Sequence, residues 1–300
     1  MTKVNAWVSA ARLRTLPLSV SGIIIGSGLA YNAGFFRWDI LVLALLTTLG
    51  FQILSNFAND YGDGVKGTDN EERIGPKRAM QSGLLTENEL KTGIVLTAIL
   101  TSLLSLSLIF VAFGSDQFIQ SVVFFVLALG AILAAVKYTV GKNAYGYRGL
   151  GDVFVFIFFG LVAVFGTYFM YTQHWDWLIL LPATTIGLFS VAVLNLNNMR
   201  DRLSDARVNK NTLAVLMGAQ GAKVYHFSLI IFGMMSTVLF LAITQLWLWS
   251  CISLFVFLLF FKHLAVVQKN STPALLDPQL KVVALGTFVF SILFALGFLI

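Results

Sequence analysis

Residues 39–69 read DILVLALLTTLGFQILSNFANDYGDGVKGTD. From Ile40 to Asn59 no residue carries a charge, and about 20 largely apolar residues in a helix cross the hydrocarbon core of a bilayer. From Asp60 onward the chain turns dense in Asp and Gly, with Lys66 among them. A membrane span thus runs directly into a charged cluster. Both features recur through the chain.

Of 300 residues, 58% are hydrophobic and 11% charged, and Phe alone occurs 27 times. Mean hydropathy is +0.84. Soluble proteins carry about 25% charged residues, so a soluble globular domain is excluded. Nine apolar segments are expected, at 16–33, 39–59, 92–113, 117–136, 151–172, 177–197, 223–244, 246–261 and 282–300. The fold class is an all-α membrane protein of nine transmembrane helices. The seventh and eighth segments nearly fuse around Gln245, and the eighth is short for a full span. Pro17 suits a first helical turn, where its missing N–H costs nothing. Gly22 and Gly26 form a small-xxx-small pair for close helix packing.

Loop charge sets the orientation. With the N-terminus inside, nineteen of the twenty Lys and Arg fall on the inner side, and only Arg37 lies outside. Asp39, Asp116 and Asp176 are outer; the other eleven of fourteen acids share the basic side. Met1 to Arg14 has neither an apolar run nor a small-residue cleavage site, so a cleaved leader is not expected. Cys251 has no second cysteine to pair with and reads as a buried thiol.

Eleven acids on the inner face are not needed for insertion. Five of them belong to two clusters where a span enters an inner loop. One covers residues 56–69, with Asn56, Asn59, Asp60, Asp63 and Asp69; the other covers 195–205, with Asn195, Asn197, Asn198, Asp201 and Asp205. Asn-x-x-x-Asp recurs as Asn59/Asp63 and Asn197/Asp201, four spans apart. This suggests a pseudo-repeat within a single domain of residues 1–300. Residues four apart share a helix face, so if the spans continue one or two turns, both motifs face one cavity. Carboxylates crowded at membrane depth repel. Mg²⁺ resolves the conflict: it takes oxygen ligands and binds through one or two carboxylates plus substrate phosphates. Two clusters imply two Mg²⁺ ions clamping a polyphosphate. Lys66, Arg73, Lys77 and Arg78 follow the first motif; Arg202, Arg207 and Lys210 surround the second. Such cations bind phosphate oxygens or, equally, lipid headgroups.

Asn59-Asp60-x-x-Asp63 and Asp201-x-x-x-Asp205, at the inner ends of spans in a nine-span chain, resemble the UbiA superfamily of membrane prenyltransferases. Ala11-Arg12-Leu-Arg14-Thr15-Leu16-Pro17, Arg73-Ile74-Gly75-Pro76, Tyr147-Arg148-Gly149-Leu150-Gly151-Asp152 and Asn209-Lys210-x-Thr212-Leu213 are similar to its MenA branch, the 1,4-dihydroxy-2-naphthoate polyprenyltransferases. The resemblance covers essentially the whole chain. It implies nine helices around a central cavity. It also implies Mg²⁺-dependent transfer of a prenyl group from polyprenyl diphosphate to 1,4-dihydroxy-2-naphthoate, with loss of CO₂, in menaquinone synthesis. Gly67 stands where many members of the superfamily carry a further Asp, which leaves the role of Asp69 open.

On that resemblance, Asn59, Asp63, Asp201 and Asp205, then Asp60 and Asn197, are the expected metal ligands. Asp63, Asp201, Lys66 and Arg73 are the expected catalytic residues. Lys77, Arg78, Arg202 and Lys210 are expected at the diphosphate. Arg14 reads equally as a cation for the naphthoate carboxylate or as a topology-setting flank. Lys137, Tyr138 and Asp152 are further cavity candidates. The prenyl tail needs an apolar groove, for which the fifth span offers Phe154, Phe156, Phe158, Phe159, Phe165 and Phe169. His226 and His263 have no evident partner, so no His-based metal site is expected. The expected partners are the two substrates and the lipid bilayer, with no nucleic acid, and the expected location is the plasma (inner) membrane with the site cytoplasmic. The alternatives are a different acceptor such as 4-hydroxybenzoate, or a transporter. The charge-free centres of the spans argue against a transport path.

Overall fold

A computed structural model describes residues 2–69, 74–245 and 250–298. Among them there is no strand. Nine helices are long and apolar enough to cross a membrane: Lys3–Asn32, Trp38–Val65, Glu87–Phe113, Phe118–Lys137, Gly151–Thr172, Trp177–Arg207, Leu213–Thr244, Ser250–Lys269 and Pro273–Leu296. They are spans 1 to 9 below. The protein is an integral membrane protein, and the outward sides of spans 3 and 4 show why. Leu96, Ile99, Leu100 and Leu103 on the third, and Phe118, Ile119, Val126 and Leu133 on the fourth, are all exposed. Contiguous apolar faces on helices of this length and hydropathy suit a lipid bilayer.

Hydropathy placed the spans but not their ends. The helix expected at 39–59 runs on to Val65, and the one expected at 177–197 runs on to Arg207. The seventh begins at Leu213, ten residues before its expected start at 223. Hydropathy detects only the part in hydrocarbon, whereas helical hydrogen bonding continues into charged sequence. Thr212 caps that seventh helix, accepting from Val215 N–H, and Gly218 (φ 72°) kinks it. The eighth spans Ser250–Lys269 rather than 246–261, of which 246–249 lie outside the described residues, and the ninth starts at Pro273 rather than 282.

Span 1 is broken near its start. A helix over Lys3–Ala11 ends at Arg12 (φ 52°), and the membrane helix proper begins at Leu16 with Pro17 in its first turn. Gly22 and Gly26 sit against span 5 so closely that an added Cβ would lie 2.6 Å from Ala163 Cβ and from Val164 O respectively. Span 5 is π-helical over Phe156–Gly166, which stretches its side-chain repeat beyond 3.6 residues. Span 6 runs through the core, where the buried Phe189 ring meets Phe260 and Phe290 at 5.0 and 5.9 Å.

The histidines are not solitary. His226 Nε2 and His263 Nε2 are 2.8 Å apart, and His263 Nδ1 lies 2.7 Å from Gln279 Oε1, joining spans 7, 8 and 9. Sequence distance concealed the pair. Cys251 is half-buried rather than buried.

Candidate active site

Spans 1 to 6 and span 9 enclose a cavity of about 490 Å³ whose polar residues gather at the basic end of the bundle. The last turns of span 2 supply the first side of that end. Gly62 allows span 2 to meet Thr139, whose Oγ1 lies 2.4 Å from where a Cβ would stand. Thr139 in turn donates to Ala58 O (2.9 Å) and Asn59 Oδ1 (3.3 Å), fixing the amide of Asn59 at the cavity wall. Asp63, one turn on, accepts a 2.7 Å hydrogen bond from Tyr147 Oη.

Beyond span 2 the chain reverses at Gly67 (φ 71°), a left-handed conformation natural to glycine. The N–H groups of Thr68 and Asp69 both donate to Asp63 O. This fold-back returns Asp69 to the cavity, with its carboxylate 3.8 Å from Arg78 Nε. The position where the superfamily often has an acid thus carries the turn, and the acid arrives two residues later.

Asn197, Asp201 and Asp205 line the opposite side from successive turns of span 6. Behind them lies Arg200, its side chain fully buried. It grips both oxygens of Asp201 (2.8 and 2.6 Å) and Asn197 Oδ1 (2.8 Å), and also bonds Asp277 at the start of span 9. Asp277 stands 3.8 Å from Arg14 on the cavity rim. Lys210 reaches in between the two motifs, 3.9 Å from Asp63 Oδ2 and 3.6 Å from Asp205 Oδ1. Burial works against its ammonium, but Asp63 and Asp205 outweigh burial and hold its pKa above the ordinary lysine value. Lys66, outside the wall, stacks its ammonium 3.9 Å from the Tyr147 ring centre. Partial desolvation there, aided by Lys210, lowers its pKa against the pull of Asp63.

Of the expected residues, Asn59, Asp63, Asn197, Asp201, Asp205, Lys210, Arg14, Arg78 and Tyr138 line this cavity. Asp60 does not: its carboxylate is turned away and accepts from the N–H groups of Ala79 (3.1 Å) and Met80 (3.3 Å). It anchors the loop that carries Arg78. Lys66, Lys77 and Lys137 are exposed outside the wall, and Arg202 also lies off it. Asp152 is buried elsewhere, accepting from Tyr225 Oη at 3.2 Å and tying span 5 to span 7. Arg73 lies outside the described residues. Phe154, Phe158 and Phe159 line the apolar wall; Phe156, Phe165 and Phe169 do not. Sequence reasoning left the role of Asp69 open and missed Arg200, Asp277 and Tyr147.

The donor set suits a hard divalent cation. It consists of carboxylate and amide oxygens, and each Asp201 oxygen bonded to Arg200 keeps a second lone pair. Among the described residues no three Asp, Glu, His or Cys side chains form a ready-made metal cage. An ion held by one or two carboxylates and completed by phosphate oxygens requires none.

The model of the UbiA prenyltransferase family matches residues 19–276. A 1,4-dihydroxy-2-naphthoate octaprenyltransferase of Haemophilus influenzae is 43% identical, over 99% of this chain and 97% of its own. One of Escherichia coli is 39% identical, over 99% and 96%. The apo structure of a UbiA homologue from Aeropyrum pernix superposes with a TM-score of 0.71, covering 96% of this chain and 98% of that one at 13% identity, and so shares the fold. Two Asp motifs meeting over an apolar cavity, on a chain matched along nearly its full length, lead to one conclusion: the protein belongs to the UbiA prenyltransferase family.

Proposed function

We propose that the protein transfers a polyprenyl group from polyprenyl diphosphate to 1,4-dihydroxy-2-naphthoate, with loss of CO₂, giving demethylmenaquinol, the two-electron-reduced form of demethylmenaquinone. The observation that carries this is the convergence of Asp63, Asp69, Asp201 and Asp205 with Lys210 at the mouth of an apolar cavity. The full-length relatives of that name supply the acceptor.

Asn59, Asp63 and Asp69 would hold one Mg²⁺, and Asn197, Asp201 and Asp205 a second. Bound there, Mg²⁺ neutralises charge growing on the diphosphate oxygens. Lys210 and Arg78 face the same region and donate to the remaining phosphate oxygens, as preorganised cations do at a leaving group. The allylic C–O bond breaks with its electron pair going to the diphosphate. The ring carbon bearing the carboxylate bonds to the allylic carbon. The C–CO₂ bond then breaks, its electrons restore the aromatic ring, and CO₂ departs. No strong base is needed, because the ring hydroxyls supply the electron density.

Tyr138 lines the same cavity. Burial, with Asp152 and Asp63 nearby, raises its phenol pKa, so it presents a neutral aromatic face to cationic character on the allylic group. Arg14, half-exposed at the rim, is positioned for the naphthoate carboxylate. The basic end faces the cytoplasm of the plasma (inner) membrane, following the positive-inside distribution.

The test is purified protein in detergent with Mg²⁺, a polyprenyl diphosphate and dihydroxynaphthoate, with product read by mass spectrometry. No prenylated product from a folded sample would favour the transporter reading. Product with 4-hydroxybenzoate but not with the naphthoate would overturn the acceptor.

A further inference from the structure

The cavity has a floor. Ala44, Ile109, Phe124 and Met170, from spans 2, 3, 4 and 5, are the wall residues nearest the end of the bundle opposite the Asp motifs. Among them Phe124 is the only aromatic ring, and it is 8% exposed. It is backed by Phe113 (ring centres 5.0 Å apart) and stacked with Phe169 (6.0 Å, planes 12° apart), neither of which touches the cavity. Behind Phe169 comes Trp175, at 6.1 Å. The apolar channel therefore ends on a braced aromatic layer rather than emerging at the far side.

Helical rise turns this into a length. At 1.5 Å per residue, Asp63 to Ala44 along span 2 is about 28 Å, and Tyr138 to Phe124 along span 4 about 21 Å. An extended isoprene unit, four chain carbons long, advances about 5 Å. Four to five units laid straight from the Asp motifs therefore reach the Phe124 ring, and the next unit must bend or meet it.

We propose that Phe124 is a specificity-determining residue that sets the length of prenyl chain held straight in the cavity. The inference rests on the donor assignment made above but not on the identity of the acceptor. Removing the phenyl ring opens room for about one more isoprene unit. Enlarging it to Trp takes room away.

The experiment measures binding of farnesyl, geranylgeranyl, pentaprenyl and hexaprenyl diphosphate, with Mg²⁺ and no acceptor, by calorimetry in detergent. In the unaltered protein, affinity should climb with each unit and level off at four to five. Phe124→Ala should move the plateau up by one unit, raising affinity for the longer donors about tenfold over farnesyl diphosphate, and Phe124→Trp should move it down. Phe124→Leu, which keeps most of the packing, should give a smaller shift in the same direction as Ala. Farnesyl diphosphate, too short to reach the floor, should bind all variants alike. A plateau that stays put in folded Leu and Trp variants, or an equal change for all four donors, overturns the proposal. If the plateau moves but no product forms with dihydroxynaphthoate, the floor stands and the acceptor assignment falls. Failure of every donor to bind overturns both.

Discussion

Among the described residues Lys210 is the cation ion-paired with both Asp63 and Asp205, and replacing it by Met should make the stability of the protein depend on magnesium. At 3.9 and 3.6 Å and an effective dielectric near 20, each attraction is about 4 kcal/mol before the cost of burying the ammonium. Breaking a buried pair from one side typically costs about 3–5 kcal/mol. Here both carboxylates line a cavity that admits water, so about 2–4 kcal/mol is expected. At roughly 2–4 °C per kcal/mol, Lys210→Met should lower the melting temperature in detergent and EDTA by about 4–16 °C. Magnesium at a few millimolar should restore at least half of that loss, because a divalent cation replaces the missing charge. The unaltered protein should gain much less. The alkaline limb gives a second check. Lys210 has its folded-state pKa raised, so its stabilisation is complete below the unfolded lysine value near 10.5. It is lost as pH rises through the higher folded value. In EDTA, Lys210→Met should lack that alkaline loss. A Met variant as stable as the parent without magnesium, or one that magnesium does not rescue, would refute the clamp.

Asp63→Ala should abolish magnesium-dependent product formation while the protein still fractionates with membranes; near-normal turnover would remove Asp63 from the site. Asp60→Asn should cost about 1–3 kcal/mol of stability through its two backbone hydrogen bonds, with the magnesium midpoint of activity unchanged. A shifted midpoint would restore Asp60 to the ligand set. Asp277→Asn frees Arg14 from a competing anion and loosens Arg200 behind Asp201. It should lower kcat about tenfold and lower the KM for the naphthoate, leaving the donor KM unchanged; a rise in naphthoate KM would contradict the competition.

The membrane spans were legible in sequence because apolar length is a local property. The nine expected segments coincide with nine helices, and what failed was their ends. Helical hydrogen bonding carries span 6 ten residues past its apolar stretch, and that extension brings Asp201 and Asp205 onto the same wall as Asn197. The Asn-x-x-x-Asp spacing was legible for the same reason: a helix face is fixed by a four-residue repeat wherever the helix exists. Asp60 was not: next to Asn59 in sequence, it stands about 100° round the helix from that side chain. There it meets the N–H groups of Ala79 and Met80. The role of Asp69 stayed open for the opposite reason. Only the reversal at Gly67 brings it back, and a turn's direction depends on backbone angles that composition does not state.

The basic residues pose a subtler problem, because two different forces select the same amino acids at the same end of the bundle. Insertion asks for Lys and Arg on one side without specifying where each side chain goes. Lys66, Lys77 and Lys137 meet that requirement from exposed positions. Arg200 meets it equally well on paper, yet it is fully buried and spends its guanidinium on Asp201, Asn197 and Asp277. A counted charge cannot tell these cases apart, since the difference lies in a partner 77 residues away. Yet burying an arginine is costly unless carboxylates meet it, and the surplus of acids on the inner face is the trace that such burial leaves in a sequence. Eleven acids where topology needs none imply cations drawn inward to match them. Asp277, outside both motifs, is the acid that shows the matching extends beyond metal binding into the scaffold that holds the second motif in place.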